Sequence, residues 1–269
     1  MAVITTEIEG SIGTIWLDRA EKLNAMGNQF WIDLPHAVTE LEENPNVRVI
    51  VVLAKGRHFS VGLDLTESPL PLNKDHASSQ AVTATKLYRR IKELQNAISS
   101  LDNCRKPTIA GIHGYCIGGG VDLISSCNMR LATTDATFSI REAKIAIVAD
   151  IGSLQRLPQI LPKGVLYELA LTARDFSAKE AQDWGLVNTV VENVDQLQAA
   201  CLKLANEVAS NSPLATMGTK EILDGIYNRN LSQDLDRVAL WNSAFIESHD
   251  LNEAVSAFIE KRSATFKGD

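Results

Sequence analysis

The chain of 269 residues contains only four cysteines, and no two of them form a CxxC pair. Their spacing supports neither a zinc ribbon nor a disulfide framework, which indicates reduced and mostly buried thiols. The chain also lacks any apolar run near the ~20 residues that are needed to span a bilayer. The sequence therefore predicts no transmembrane helix and no membrane partner.

Recognisable targeting signals are missing as well. The start, MAVITTEIEG, resembles neither a basic secretion leader nor an Arg-rich transit peptide. The end, FKGD, is not a Ser-Lys-Leu peroxisomal signal. On these absences we expect a cytoplasmic location.

Basic residues are in the minority, with 26 lysines and arginines against 33 aspartates and glutamates and a formal net charge of −7. Nucleic-acid binding depends largely on Lys and Arg that displace counterions from phosphates, so this balance argues against a nucleic-acid partner. Hydrophobic residues make up 45% of the chain and charged residues 22%, which are ordinary globular values. Disorder is therefore excluded as the main state.

Several common catalytic motifs are absent. The glycines at Gly118 and Gly120 are followed neither by the Gly-Lys-Ser/Thr of a P-loop nor by the third glycine of a dinucleotide fingerprint. There is no GxSxG nucleophile motif, and the five histidines lack metal-ligand spacing. The sequence therefore predicts no metal site.

The pattern of apolar residues predicts an α/β protein. Strands and helices alternate over residues 1–195, whereas residues 196–269 are nearly all helical. We expect a mixed core followed by a helical C-terminal region. The polar segment 67–80 is expected to be an exposed loop.

Two segments place glycine just before a presumed helix, GRHFSVGLDL (56–65) and GIHGYCIGGGVDLISSC (111–127). Glycine permits close approach to the backbone, and the first amides of a helix have no internal acceptor, so such turns can bind an anion or a polarised carbonyl. Ordinary strand-to-helix turns are the alternative, which the glycine count alone would favour.

Three acids are candidates for chemistry. Asp122 follows the glycine triplet by about one helical turn, and Glu142 follows the short strand ATFSI. Asp150 ends the apolar run AKIAIVAD, so it either caps the helix that begins near Gly152 or carries protons. Ser153 could provide that cap instead and leave Asp150 free.

Four motifs, in order along the chain, resemble the enoyl-CoA hydratase/isomerase, or crotonase, superfamily. They are RAEKLNAM (19–26), HFSVGLDL (58–65), IHGYCIGGGVDL (112–123) and FSIREAKIAIVADIGSLQRLPQIL (138–161). Within that superfamily the three acids resemble those of Δ3,5-Δ2,4-dienoyl-CoA isomerases, whereas hydratases have a pair of glutamates and a glycine at the third position. The resemblance implies a core of coiled ββα units and C-terminal helices that form trimers, commonly paired into hexamers.

The same resemblance implies an oxyanion hole for an acyl-CoA thioester, made by the amides of Leu63 and Gly119. Glu142 and Asp150 would then move the protons, in an order that stays open, while Asp122 orients or tunes them. Coenzyme A is part of the substrate, and no separate cofactor is expected. The residues expected to bind the substrate by similarity are Gly62, Asp64, Leu65, Lys22, Arg57, Phe258 and Lys261.

We therefore expect an isomerase that converts 3,5-dienoyl-CoA to 2,4-dienoyl-CoA in fatty acid β-oxidation. A 2-enoyl-CoA hydratase that activates water with Asp122 and Glu142 is the alternative within the superfamily. A non-catalytic scaffold or RNA-binding relative is a remote alternative, which the three acids and the negative charge disfavour.

Overall fold

The computed structural model describes residues 3–67, 79–227, 230–245 and 247–265. Its strands are β1 (Ile4–Glu9), β2 (Ile12–Leu17), β3 (Val49–Ala54), β4 (Thr108–Ile112), β5 (Tyr115–Ile117), β6 (Met129–Thr133), β7 (Thr137–Ser139), β8 (Phe176–Ser177) and β9 (Thr189–Val191). Its helices are α1 (Phe30–Glu43), α2 (Gln80–Asn103), α3 (Gly119–Ser125), α4 (Ser153–Arg156), α5 (Lys163–Thr172), α6 (Ala178–Asp183), α7 (Val194–Ala209), α8 (Pro213–Tyr227), α9 (Leu231–Phe245) and α10 (His249–Glu260). Short 3-10 helices cover Ala20–Lys22, Glu142–Ile145 and Leu157–Gln159.

A six-stranded sheet in the order β1-β2-β3-β4-β6-β9 runs through the protein. The hairpin of β1 and β2 is antiparallel, and the remaining pairs of this sheet are parallel. A smaller sheet joins β5, β7 and β8. The α/β class expected from the sequence is confirmed.

The residues of strand β3 pack against helices on both faces of the sheet. Every residue of VIVVLA is buried, and successive side chains point to opposite faces. Ile50 and Val52 belong to the cluster that includes residues of α1 and α2, whereas Val51 and Leu53 pack with residues of α7. The first helix of the predicted C-terminal region thus lies on the sheet, and the division at residue 195 stays a prediction.

Sequence patterns did not single out two of the short strands, whereas β7 was expected from the run ATFSI. Strands β5 and β9 have three residues each, which is too short for an alternation of apolar and polar side chains to be recognised. Helix α4 is only one turn long, and the 3-10 turn that follows it contains Pro158, which removes one backbone donor. Helix α1, by contrast, continues through Pro35.

Two expectations concern segments outside the core. Among the described residues, no helix is both long and apolar enough to cross a bilayer. The predicted loop 67–80 lies outside the described residues except for positions 67, 79 and 80. The chain enters α2 after Ser79, whose side chain accepts a hydrogen bond from the amide of Val82.

Candidate active site

The two glycine turns meet at the carboxyl ends of β3 and β4. These strands are parallel neighbours, so the segments that leave them start from the same edge of the sheet. The backbone of Ser60 then pairs with β5, where its amide donates to the Tyr115 carbonyl at 2.9 Å and its carbonyl accepts from the Ile117 amide at 3.0 Å. This pairing holds residues 60–63 against the start of α3.

Gly62 permits a close approach between the two turns. Its φ of +85° lies in the left-handed region, and a Cβ there would stand 2.7 Å from the Ile117 carbonyl oxygen and 3.2 Å from the Gly119 nitrogen. A Cβ on Gly119 would in turn lie 3.9 Å from the amide nitrogen of Leu63. Only glycine fits at position 62, and its absence of a side chain brings the Leu63 and Gly119 amides together.

Neither of these two amides donates a hydrogen bond within the described residues. The Met26 amide donates to Gly62 O at 2.8 Å and the Asp64 amide to Met26 O at 3.1 Å, which leaves the intervening Leu63 amide free. Gly119 is the first residue of α3, where an amide has no acceptor within its own helix. Neither amide has an acceptor in the part of the chain that the structure describes. Together they can bind an oxygen that gains negative charge.

Asp64 supports the turn through its own hydrogen bonds. It accepts from Thr66 through both the amide and the hydroxyl, and it forms an ion pair with Arg19 at 2.8 Å. Burial would raise the pKa of Asp64, but the hydrogen bonds from Thr66 and Arg19 outweigh burial and lower it. Asp64 therefore stays ionised and fixes the backbone next to Leu63.

Two of the three predicted acids, Glu142 and Asp150, line one cavity of about 740 Å³ together with Leu63 and Gly119. Glu142 begins a 3-10 helix, and a Cβ on Gly118 would lie 3.3 Å from its Oε1 atom. Its other oxygen, Oε2, is buried and has no hydrogen-bond partner among the described residues. This carboxyl oxygen is therefore available to a ligand.

Asp122 lies behind the cavity wall and caps α4. Its Oδ1 atom accepts from the Ser153 amide at 2.5 Å, so the cap that the sequence left open between Asp150 and Ser153 comes from α3 instead. This contact spans 31 residues of sequence, which no local motif could reveal. The Oδ2 atom is buried and unpartnered within the described chain.

All three carboxyls have raised pKa values, and burial is the main cause in each case. Burial raises the pKa of Asp122 and of Glu142, and the nearby Asp122 carboxyl raises that of Glu142 further. Burial raises the pKa of Asp150 to about 7, where a hydrogen bond from Asn242 opposes the shift and Asp122 adds to it. Near neutral pH the cavity therefore has both protonated and ionised carboxyl groups, as proton transfer in both directions requires.

Two amide side chains that sequence reasoning missed hold Asp150 in place. Asn242 donates from Nδ2 to Asp150 Oδ2 at 2.6 Å and to the Val148 carbonyl at 2.7 Å. Gln95 donates from Nε2 to the Asp150 carbonyl at 2.7 Å and to the Leu235 carbonyl at 2.9 Å. Both contacts join elements far apart in sequence, so no spacing pattern signals them.

The residues expected to bind the substrate are only partly brought together. Lys22, Phe258 and the turn residues Gly62, Asp64 and Leu65 line the cavity. Arg57 is exposed and is not part of the lining, and neither is Lys261, which ends α10 in a left-handed conformation. Three cations that the sequence analysis did not select also line the cavity, namely Arg141, Lys144 and Arg262. All these binding roles stay predictions.

Within the described ranges, no group of three or more His, Cys, Asp or Glu side chains could hold a metal ion. Burial raises the pKa of each cysteine thiol, which keeps the thiols in their unreactive protonated form.

The chain is similar to known proteins along nearly its whole length. The enoyl-CoA hydratase/isomerase family model matches residues 7–269. The chain is 43% identical over 267 residues to a peroxisomal Δ3,5-Δ2,4-dienoyl-CoA isomerase of Arabidopsis thaliana, covering 99% of this chain and 96% of that protein. It is 39% identical to a mitochondrial Δ3,5-Δ2,4-dienoyl-CoA isomerase of Dictyostelium discoideum, covering 95% and 87% respectively.

The crystal structure of an enoyl-CoA hydratase/isomerase from Pseudoalteromonas atlantica superposes with a TM-score of 0.84 at 24% identity, covering 98% of this chain and all of that one. The crotonase fold expected from the motifs, with its helical C-terminal region, is confirmed. The expected cytoplasmic location is wrong, since the relatives in A. thaliana and D. discoideum are named peroxisomal and mitochondrial. The expectation rested on the absence of recognised signal patterns, and such an absence does not report the compartment.

Proposed function

The chain belongs to the enoyl-CoA hydratase/isomerase family, and we propose that within it the protein is a Δ3,5-Δ2,4-dienoyl-CoA isomerase of fatty acid β-oxidation. The observation that carries this proposal is the third acid, Asp150, which lies at the position where hydratases have glycine. Glu142 and Asp150 line one cavity with the two free amides, and both carboxyls have raised pKa values. Coenzyme A enters as part of the substrate, and the proposed reaction uses no further cofactor.

The free amides of Leu63 and Gly119 bind the thioester oxygen. Removing a proton from the α carbon places negative charge on that oxygen, and donors that are already in position stabilise the charge without reorganisation. The N-terminus of α3 adds its partial positive charge. One such donor contributes about 3 kcal/mol to the stability of the transition state, or roughly two orders of magnitude in rate.

Glu142 and Asp150 then move the protons. One carboxylate takes a proton from C2 of the 3,5-dienoyl chain, the electron pair delocalises along the conjugated carbons, and a second carboxylic acid returns a proton at C6. No atom is gained or lost overall. Each turnover exchanges the protonation states of the two carboxyls, and proton exchange with solvent restores them.

The surroundings of Glu142 favour it for the first step. Its Oε1 atom lies against Gly118, one residue before the Gly119 amide that binds the thioester. We therefore assign proton removal at C2 to Glu142 and proton return at C6 to Asp150. Asp122, which caps α4 and raises the pKa of its neighbours, tunes the pair.

Cations at the cavity suit the phosphates of coenzyme A. Lys22, Arg141, Lys144 and Arg262 supply positive charge there, while Phe258, which is 62% exposed, offers an aromatic surface. Arg262 also forms ion pairs with Glu253 and Glu260, which hold its guanidinium in place. Arg57 and Lys261 are weaker candidates because they lie outside the lining.

A homotrimer, or a hexamer of two trimers, is the proposed assembly. Large apolar side chains of α8 and α9 are exposed in the single chain, among them Leu214, Ile222, Ile226 and Leu240. Exposed apolar residues concentrated on neighbouring helices are typical of surfaces that bind another protein. Sedimentation velocity measures the assembly directly, and a monomer at micromolar concentration would refute it.

One incubation experiment tests the function. Purified protein is given matched 3,5-dienoyl-CoA and 2-enoyl-CoA substrates, and the products are followed by mass and by ultraviolet absorbance. Isomerisation conserves mass and brings the diene into conjugation with the thioester, whereas hydration adds one water. Turnover of the enoyl substrate alone would favour the hydratase, and no turnover of either would favour a non-catalytic protein.

A further inference from the structure

We propose that Asn242 is a positioning residue that reserves oxygen Oδ2 of Asp150 and so leaves Oδ1 as the atom that exchanges the proton with substrate. The proposal deepens the isomerase function and rests on it for the identity of that substrate. Asn242 lies on helix α9 and donates a hydrogen bond to Asp150, which lies in a loop 92 residues earlier in the chain.

The orientation of the Asn242 amide is fixed by two acceptors. The side chain is 2% exposed, and Nδ2 donates both to Asp150 Oδ2 and to the carbonyl of Val148. A backbone carbonyl can only accept, so a flipped amide would place two oxygens against each other at Val148. Asn242 therefore always presents an N–H to Asp150.

This fixed donor makes the two oxygens of Asp150 different. When the carboxyl is ionised, Oδ2 accepts the hydrogen bond from Asn242. When the carboxyl is neutral, a proton on Oδ2 would face the N–H, so the proton resides on Oδ1. In both states Oδ1 is the oxygen that is free to give or take a proton.

Asn242, and no charged group near Asp150, favours the ionised form of that carboxyl within the described residues. The carboxyl that raises the pKa of Asp150 electrostatically is Asp122 from α3, and Asp150 in turn raises the pKa of Glu142 in the 3-10 helix. Helix α2 contributes the neutral Gln95, and Asp150 has no ion pair within the described ranges. The hydrogen bond from Asn242 favours the ionised form and opposes the rise in the pKa of Asp150.

Gln95 provides a matched control. Like Asn242 it is buried and donates two hydrogen bonds that tie the Asp150 loop to its surroundings, but both of its acceptors are backbone carbonyls. Asn242→Leu and Gln95→Leu therefore remove the same number of buried hydrogen bonds. Only Asn242→Leu removes one from the Asp150 carboxyl.

The test compares the pH dependence of turnover in the two variants. In Asn242→Leu, the limb of the kcat profile that reports Asp150 should move to higher pH by about one unit, the size expected for losing a hydrogen bond to a charged group. Gln95→Leu should leave that limb in place, whatever it does to stability. An unmoved limb in Asn242→Leu, or an equal shift in both variants, would overturn the proposal. If leucine prevents folding, Asn242→Ser should shift the limb in the same direction.

A second measurement separates this proposal from the proposed function. The carbonyl stretch of protonated Asp150 is isolated as an infrared difference against Asp150→Asn, and it is titrated without substrate. Loss of the Asn242 amide should raise the titration midpoint even if the protein turns over no dienoyl-CoA. Equal midpoints in wild type and Asn242→Leu would refute the role of Asn242, whereas absent turnover with shifted midpoints would refute only the isomerase function.

Discussion

Replacing Asp150 with asparagine should abolish isomerisation and, at the same time, stabilise the protein at alkaline pH. Asparagine cannot give or take the proton at C6, so catalysis is lost. It can still accept the hydrogen bond from Asn242 through its carbonyl oxygen, so the local structure is kept. The two effects have opposite signs because the same burial that tunes the acid also makes its charged form costly.

The size of the gain follows from the pKa of Asp150, which rises from its ordinary 3.8 to about 7. A raised pKa means that the native state retains the proton longer than the unfolded state, so wild-type stability is greatest below the unfolded pKa and is lost as pH rises to the folded value. The full loss is about 4 kcal/mol, since each pKa unit corresponds to about 1.4 kcal/mol. When the pH rises from about 5 to about 8.5, the free energy of unfolding of the variant relative to wild type should increase by about 3 kcal/mol.

Urea unfolding at these two pH values measures the difference. Protein concentration is held constant because assembly contributes to apparent stability. Asp195→Asn, the same chemical change at an exposed residue of α7, is the control. A stability difference for Asp150→Asn that is the same at both pH values would refute the reasoning, and near wild-type turnover would remove Asp150 from the mechanism.

Three further substitutions test other parts of the site. Gly119→Ala puts a methyl group beside the Leu63 amide and should lower kcat/KM by about two orders of magnitude or more, measured with the dienoyl substrate, while circular dichroism stays unchanged. Asp122→Asn keeps an acceptor for the α4 cap but removes a negative charge that raises the pKa of Glu142, so the Glu142 limb of the pH–rate profile should move to lower pH. Gly152→Ala forces a side chain into a φ of +137° and into the guanidinium of Arg156, which should lower the thermal midpoint by several degrees in calorimetry.

The sequence was most informative where the chemistry lies on short, continuous motifs. The glycine turns and the positions of the three acids could be identified because each occupies a few consecutive residues. The hydrogen bonds between Asp122 and Ser153 and between Asn242 and Asp150 could not be identified, because they depend on how distant elements pack.

Binding residues were predicted less completely than catalytic ones. Lys22 lies at the cavity as expected, but Arg141 and Arg262 were missed because a surface cation has no distinctive sequence context. Strand β5 was missed because three residues are too few for an alternating pattern to be recognised, although it is the element that aligns the two amides.

The Leu63 donor is a main-chain atom, so the chemistry at this position does not depend on the identity of its side chain. That side chain lines the cavity, while hydrogen bonds at Gly62 and Asp64 hold the backbone on either side. Protein engineers could therefore vary position 63 to accept longer or branched acyl groups and still retain the catalytic N–H.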